Sequence, residues 1–201
     1  MKSIQLSSSN ENELSIRIIE AAKELFMEHG FKGTTTKMIA KEAKVNEITL
    51  FRHFKSKEGI FTEVAKEINH NHKRLENIVE ADLSPEEMLF EFGMELYRRI
   101  VESKGVMIVA IIESQRRSKL IKEVTQVLKT IIDILEKKLT ALYKEGVLKE
   151  GDFFTASMIY VESLIGLFVV QSRLEGKMIP VEIERLCRSA SQILLNGLLK
   201  N

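Results

Sequence analysis

The sequence predicts an all-α protein with about nine helices, arranged as a small N-terminal helical domain and a larger C-terminal one. Residues that favour helices, such as Leu, Ile, Lys and Glu, are abundant, and no segment shows the alternation of a strand. The 201 residues include only ten glycines and two prolines, too few for a chain dense in turns. At 44% hydrophobic and 29% charged residues, the chain can bury a core.

Residues 1–12 are rich in serine and asparagine, and we expect them to form a disordered arm. They lack the apolar core of a secretion signal. A first helix then carries apolar residues at helical spacing and ends at Gly30, because glycine adopts the left-handed conformation that ends helices.

Three further helices are predicted before residue 73, each beginning at a residue that can cap it. The threonines at 34–36 precede a short helix, Asn46 precedes a second over 47–54, and Ser56 precedes a third from Lys57 to about Lys73. We therefore expect an N-terminal domain over residues 13–72.

The C-terminal domain, expected over residues 73–201, opens with a capping box. Ser84 caps, Pro85 takes the first helical position, and Glu87 closes the box. The helix to Glu102 is apolar over an arc of about 200°, against roughly 100° for a surface helix, so other helices should surround it. Further helices follow at about 118–145, 152–175 and 181–199.

The net charge of +1 hides a basic segment. Residues 32–57 hold seven lysines and arginines but only Glu42 and Glu47, a local charge of +5. Such a face is suited to a polyanion, although a solvated helix face explains it equally well. Because the two helices in this segment are separated only by residues 44–46, the spacing predicts a helix-turn-helix over about 35–54.

Residues 14–64 resemble the DNA-binding domain of the TetR/AcrR family. The resemblance is carried by the runs 18–26, 29–31, 39–43, 49–54 and 56–58 and by Val45, in order and without gaps. It implies a homodimeric, cytoplasmic transcriptional regulator and not an enzyme. Such a protein is usually a repressor, released from a palindromic DNA operator by a small, largely apolar molecule.

Carried over by position, the resemblance implies which side chains meet DNA. Thr35 and Lys37, beside Thr36, would contact phosphates. Bases would be read by Thr49, Arg52 and Asn46, and the DNA backbone would be contacted by Phe51, His53 and Lys57. Three residues depart from the family pattern, since Lys44 and Ile48 replace frequent glycines and Glu47 replaces a frequently basic residue. These changes affect the base read-out rather than the docking mode.

The last two long helices are predicted to form the homodimer as a four-helix bundle. Ten of the 13 residues in 158–170 are apolar, so one face should meet the core and the opposite face a second copy. The residues expected at this interface are Ile159, Ser163, Gly166, Val170, Leu186, Ala190, Ile193, Leu194 and Gly197.

An effector pocket is expected in the C-terminal domain around Gly93, since a glycine on the apolar arc leaves room that neighbouring helices need not fill. The alternative is that Gly93 only lets two helices touch. The pocket residues expected are Phe92, Gly93, Met94, Leu96, Tyr97, Met107 and Ile111.

Two other functions compete with DNA binding. Glu67 and His70 have the Glu-x-x-His spacing of di-iron bundles, but the motif occurs once where such a site needs two copies. A helical interaction protein without DNA binding is the second alternative. We expect no cofactor, no metal and no membrane partner. The single cysteine, Cys187, is expected in the core, and the apolar run 158–170 is shorter than the roughly 20 residues that span a membrane.

Overall fold

The computed structural model describes residues 2–70, 72–103, 118–173 and 181–198, with side chains described except at 2–11, 67–70, 118–124 and 173. The helices in these ranges are α1 (Lys2–Gly33), α2 (Thr36–Glu42), α3 (Glu47–Phe54), α4 (Lys57–His70), α5 (Lys73–Glu80), α6 (Pro85–Glu102), α7 (Ser118–Lys144), α8 (Phe153–Arg173) and α9 (Ile183–Leu198). The predicted all-α class is confirmed for this part of the chain.

The described residues fall into two compact units. Residues 2–70 belong to the first unit, together with Ser103 and 118–124, and residues 72–102 and 125–198 belong to the second. The boundary that the sequence predicts, between 72 and 73, lies within two residues of the division after His70.

Helix α1 differs from its predicted extent. It begins at Lys2, so a helix occupies positions 2–12, where the sequence predicts a disordered arm. No glycine or proline occurs before Gly30, so nothing in this stretch interrupts the helical backbone. Gly30 breaks the helix as predicted, with φ 68° and ψ 174°, and a short helical turn to Gly33 follows this kink.

The first unit has its own apolar core. Helix α1 packs on α2 and α4, and α3 packs on both α2 and α4. Three phenylalanine rings, from Phe26, Phe31 and Phe61, lie with centroids 5.3–5.5 Å apart. Ile18, Ile39 and Leu50 are fully buried beside them. This core fixes how α2 and α3 are presented to solvent.

The second unit is built around α6, which packs against α5, α8 and α9. The prediction that other helices surround this helix is confirmed. Its capping box also forms, since Ser84 N donates to Glu87 Oε2 at 3.1 Å and Glu87 N donates to Ser84 Oγ at 3.3 Å. The hydrogen bond from the Ser84 hydroxyl lowers the pKa of the Glu87 carboxyl.

Helix α5 was not expected, because the sequence predicts one helix from Lys57 to about Lys73. The structure ends α4 at His70 and begins α5 at Lys73. His72, between them, is buried, and its Nδ1 lies 3.3 Å from Nη1 of Arg99 on α6. His72 and Leu75 are thus both buried, and they belong to the second unit.

Helix α8 extends beyond the 13-residue apolar run 158–170 on both sides. By length and composition, Phe153–Ser172 could cross a membrane, with a mean hydropathy of 1.9. The core helix of a globular protein meets the same criterion. Tyr160, Leu164 and Phe168 on this helix are buried, and the helix packs against α6 and α9.

Candidate nucleic-acid interface

The start of α2 is held by a threonine cap, as the sequence predicts. Thr35 Oγ1 accepts a hydrogen bond from Met38 N at 3.2 Å. Thr34, immediately before it, is fully buried, and its hydroxyl donates to the carbonyl oxygens of Leu25 (2.9 Å) and Gly30 (2.8 Å). Thr35 and Lys37 are both exposed at this helix start. They are therefore accessible to a partner.

The turn between α2 and α3 contains a strained residue where the family pattern has a frequent glycine. Lys44 has a φ of 55°, in the region that favours glycine. The turn closes through a hydrogen bond from Val45 N to the Ala40 carbonyl oxygen at 2.9 Å. Ala40 and Ala43 are buried, so small side chains allow the two helices to approach.

Helix α3 begins at an asparagine cap and carries its buried apolar residues and its exposed polar residues on different faces. Asn46 Oδ1 accepts a hydrogen bond from Ile48 N at 2.9 Å. Leu50 and Phe54 are buried, Arg52 is exposed and Thr49 is half-buried. Phe51 is 43% exposed. Thr49, Phe51, Arg52 and His53, four of the residues predicted to meet DNA, thus lie on one short helix.

A hydrogen bond that the sequence analysis missed joins the starts of α2 and α3. The Thr36 hydroxyl donates to Glu47 Oε1 at 2.5 Å, and both side chains are half-buried. The bond places the N-terminal end of α2 beside that of α3. Glu47, which replaces a frequently basic residue of the family pattern, therefore has a structural partner, and Thr36 positions the two helices.

Lys57 has a structural role in addition to its predicted phosphate contact. Its Nζ donates to the carbonyl oxygens of Phe31 at 2.6 Å and Thr34 at 2.8 Å, and it lies 4.3 Å from the centroid of the Phe31 ring. An ammonium has three donors, so one N–H remains beyond these two bonds. Lys57 therefore ties the start of α4 to the segment between α1 and α2.

The ring of His53 is not fully at the surface, as a simple contact with the DNA backbone would require. Its Nε2 is shielded from solvent and makes no hydrogen bond with the described residues. Its ring lies 6.2 Å from the ring of Phe54. A contact from His53 to the DNA backbone would therefore have to use Nδ1 or follow a rotation of the ring.

The connection from α3 to α4 depends on a glycine that the sequence analysis did not single out. A Cβ at Gly59 would lie 2.0 Å from the Phe54 carbonyl oxygen, so the backbones approach too closely for any side chain. Gly59 N donates to Ser56 Oγ at 3.0 Å, which is the cap predicted for α4. The sequence signal that could have identified Gly59 is a glycine three residues after a capping serine.

In the second unit, the expected space at Gly93 is occupied. A Cβ there would lie 2.5 Å from Tyr160 Oη and 2.9 Å from Cys187 Sγ. Gly93 thus lets α6 meet α8 and α9 closely, which favours the alternative that the glycine lets helices touch. Cys187 is a buried core residue, as predicted, and burial raises the pKa of its thiol to about 11.

The other residues expected around an effector divide into three groups. Phe92 and Leu96 are buried in the core of the unit. Met94 and Tyr97 are half-buried, and the Tyr97 hydroxyl donates to Gln171 Oε1. Met107 and Ile111 lie outside the described residues.

The residues predicted for the dimer interface are all at least partly exposed in the single chain. Ile159 is 62% exposed on α8, and Ile193 is 73% exposed on α9. A Cβ at Gly166 or Gly197 would meet no atom within 4 Å. The remaining members are half-buried, namely Ser163, Val170, Leu186, Ala190 and Leu194.

The described part of the structure does not support the di-iron alternative. The described part of the chain contains no group of three or more His, Cys, Asp or Glu side chains placed to hold a metal. The side chains of Glu67 and His70 lie outside the described part. The neighbour of His72 is the guanidinium of Arg99, and a cation is unsuited to a metal site.

A capped, exposed short helix, held across a tight turn by a second helix, defines a helix-turn-helix DNA-binding protein. Residues 18–64 match the family model for the N-terminal domain of bacterial regulatory proteins of the tetR family. The matched segment belongs to this domain family, and the chain is a transcriptional regulator rather than an enzyme.

Similarity to known proteins extends beyond the N-terminal domain. The chain is 25% identical to an uncharacterized HTH-type transcriptional regulator, YvkB of Bacillus subtilis, over 90% of this chain and 95% of the relative. A TetR-family regulator structure from Mesorhizobium loti superposes with a TM-score of 0.80 at 20% identity, over 93% of this chain and 97% of that one. FadR of Bacillus subtilis, solved with stearoyl-CoA, has a TM-score of 0.73 at 24% identity, over 90% and 98%.

Proposed function

We propose that this regulator is a homodimeric, cytoplasmic repressor that binds a palindromic operator and is released by a small, largely apolar effector. The observation that carries the proposal is the separation of residues on α3, where buried Leu50 and Phe54 oppose exposed Arg52. A helix anchored on one face and polar on the other is suited to enter the major groove.

In this proposal the side chains divide by the part of DNA they meet. Thr35, Lys37 and the remaining donor of Lys57 contact phosphates, which positions the protein. Arg52, Thr49 and Asn46 contact base edges, which gives sequence specificity. Thr36 is assigned to positioning instead, because its hydroxyl is bonded to Glu47.

Selection of bound DNA from a random pool tests the DNA-binding part of the proposal. We expect enrichment of an inverted repeat, because a two-fold dimer presents two identical α3 helices. Enrichment of a single, non-repeated site would contradict the palindrome. Failure to enrich any sequence would contradict specific binding.

The dimer is proposed to form through α8 and α9, with a second copy of the chain as the partner. The support is the exposure of Ile159 and Ile193 and the open space beside Gly166 and Gly197. Glycines allow helices of two copies to approach, and the apolar side chains would be buried between them.

Sedimentation at micromolar concentration tests this interface. The parent chain should sediment as a dimer, and Ile193→Asp should sediment as a monomer because it would bury a charge at the interface. Val101→Asp is the matched control, since Val101 is 46% exposed on α6 and should leave the dimer intact. A monomeric parent, or a dimeric Ile193→Asp variant, contradicts the proposed interface.

The effector is proposed to bind in the second unit and to change the spacing of the two DNA-binding domains. A ligand that prefers the released geometry by about 1–3 kcal/mol weakens DNA binding roughly 5- to 150-fold, and DNA weakens ligand binding by the same factor. The similarity to a regulator solved with stearoyl-CoA makes a long-chain acyl thioester the first probe.

Calorimetric titration with stearoyl-CoA, with and without operator DNA, tests this part. Coenzyme A without the acyl chain is the matched control, because it lacks the apolar group. We expect binding only of the acylated molecule, weakened when operator is present. Equal affinity with and without operator would contradict ligand-induced release.

A further inference from the structure

Ile48 is the second residue of α3, and its side chain is 76% exposed. Among the large hydrophobic side chains that the structure describes, none is more exposed. Fully burying an isoleucine is worth about 1.5–3 kcal/mol, and the first unit gains little of this at Ile48. The fold of the unit therefore does not explain why an apolar residue stands here.

The position of Ile48 on α3 follows from the residues that the helix buries. At 100° per residue, Ile48 lies about 160° from Leu50 and about 120° from Phe54, the two buried residues. It lies about 40° from Arg52, one turn further along the same outward face. Ile48 and Arg52 thus form the face most distant from the core.

Two hydrogen bonds fix this orientation at the start of α3. The Ile48 amide donates to the capping Asn46 side chain, and Glu47, the preceding residue, is bonded to Thr36 on α2. Isoleucine is β-branched and has few rotamers, so its methyl groups occupy a defined place beside Arg52. Such rigidity is suited to recognition of shape.

We propose that Ile48 determines part of the operator sequence by contacting the C5 methyl group of a thymine in each half-site. The major groove presents hydrogen-bonding groups and one apolar group, the thymine methyl. An isoleucine side chain has no hydrogen-bonding group, so the methyl is the feature it can distinguish. The proposal rests on the DNA-binding face described above.

The location of the thymine follows from Arg52. Side chains four residues apart on a helix have Cβ atoms about 5–6 Å apart, and base pairs are stacked about 3.4 Å apart. The thymine should therefore lie within about two base pairs of the base that Arg52 reads. This places one apolar and one polar contact side by side in each half-site.

Replacement of single thymines by deoxyuridine tests the proposal, because this change removes only the methyl group. Mobility shifts would measure affinity for the selected operator and for each substituted operator. For the parent protein, replacement of one particular thymine in a half-site should lower the affinity for the operator about fourfold, the effect of one buried methyl. Replacement of this thymine in both half-sites should lower the affinity about 16-fold.

The Ile48→Ala variant should bind the thymine and uracil operators equally at that position. Alanine is a better helix former than isoleucine, so α3 should persist, and circular dichroism checks this. Ile16→Ala is the matched control, since Ile16 is 48% exposed on α1 and should retain the parent's preference.

The proposal is overturned if no thymine shows a methyl effect that Ile48→Ala abolishes. A failure of the DNA-binding face itself would be seen separately, because Arg52→Ala would then leave base preference unchanged. Loss of the methyl effect in Ile16→Ala as well would also overturn the assignment to Ile48.

Discussion

Replacing Lys57 by methionine tests whether this residue holds the first unit together. Methionine keeps an unbranched side chain and removes the ammonium group. The variant loses the hydrogen bonds to the Phe31 and Thr34 carbonyl oxygens, at 2.6 and 2.8 Å, and the contact over the Phe31 ring. Neither carbonyl bond was expected from the sequence, which predicts only a phosphate contact.

The expected loss of stability follows from these three contacts. A hydrogen bond to a charged group contributes about 1.5–3 kcal/mol, and the lower value applies because Lys57 is only half-buried. Two such bonds give about 3 kcal/mol, and the ring contact adds roughly 0.5 kcal/mol. At about 2–4 °C per kcal/mol for a chain of this size, the first unit should melt about 7–14 °C lower.

Thermal unfolding followed by circular dichroism would measure this loss, since the chain has no tryptophan to report by fluorescence. Hydrogen exchange in α1–α4 would assign the transition to the first unit. Lys41→Met is the matched control, because Lys41 is exposed on α2 and should cost less than about 0.5 kcal/mol. If Lys57→Met is as stable as this control, the structural role inferred for Lys57 is refuted.

The salt dependence of DNA binding separates the two roles of Lys57. If its remaining donor meets a phosphate, Lys57→Met should weaken binding to all sequences alike and lower the salt slope by about two per dimer. A loss of affinity at unchanged slope would show that Lys57 acts only through the fold.

Three further predictions concern base read-out, packing and cysteine reactivity. Arg52→Ala should lose discrimination at one base position per half-site, on the order of 1–3 kcal/mol, measurable by competition with substituted operators. Gly93→Ala should destabilise the second unit by up to about 2 kcal/mol in urea unfolding, because the clash costs about 1–3 kcal/mol and the gain in helix propensity is about 1 kcal/mol. Tyr160→Phe removes the hydroxyl 2.5 Å away and should reduce that cost, and an equal cost in both backgrounds would contradict the contact. Cys187, buried and with its pKa raised to about 11, should react with an aromatic disulfide reagent at pH 7.5 only after unfolding, and fast labelling of the native protein would contradict its burial.

Several features of the site were predictable because they depend on neighbouring residues in the chain. The caps at Thr35, Asn46 and Ser56 form where a hydroxyl or amide precedes a helical segment. The positive φ of Lys44 agrees with the resemblance, because glycine is frequent at this position of the family pattern.

Other features could not be predicted, because they join residues distant in the chain. The hydrogen bond from Thr36 to Glu47 crosses between two helices, and Lys57 reaches carbonyl groups 26 and 23 residues earlier. The occupied space at Gly93 depends on Tyr160 and Cys187, which are contributed by two other helices. No local pattern specifies which side chain fills a gap.

The sequence by itself determined the helical class, the helix-turn-helix and the apolar faces, because periodicity and capping depend on residues within one or two turns. Only the tertiary structure decided which polar groups are available to DNA and which serve the fold. Thr36, Glu47 and Lys57 all belong to a basic, polar segment that suggests DNA contact. Packing brings donors and acceptors within about 3 Å, so these side chains bind the protein itself, and Lys57 keeps one donor for DNA.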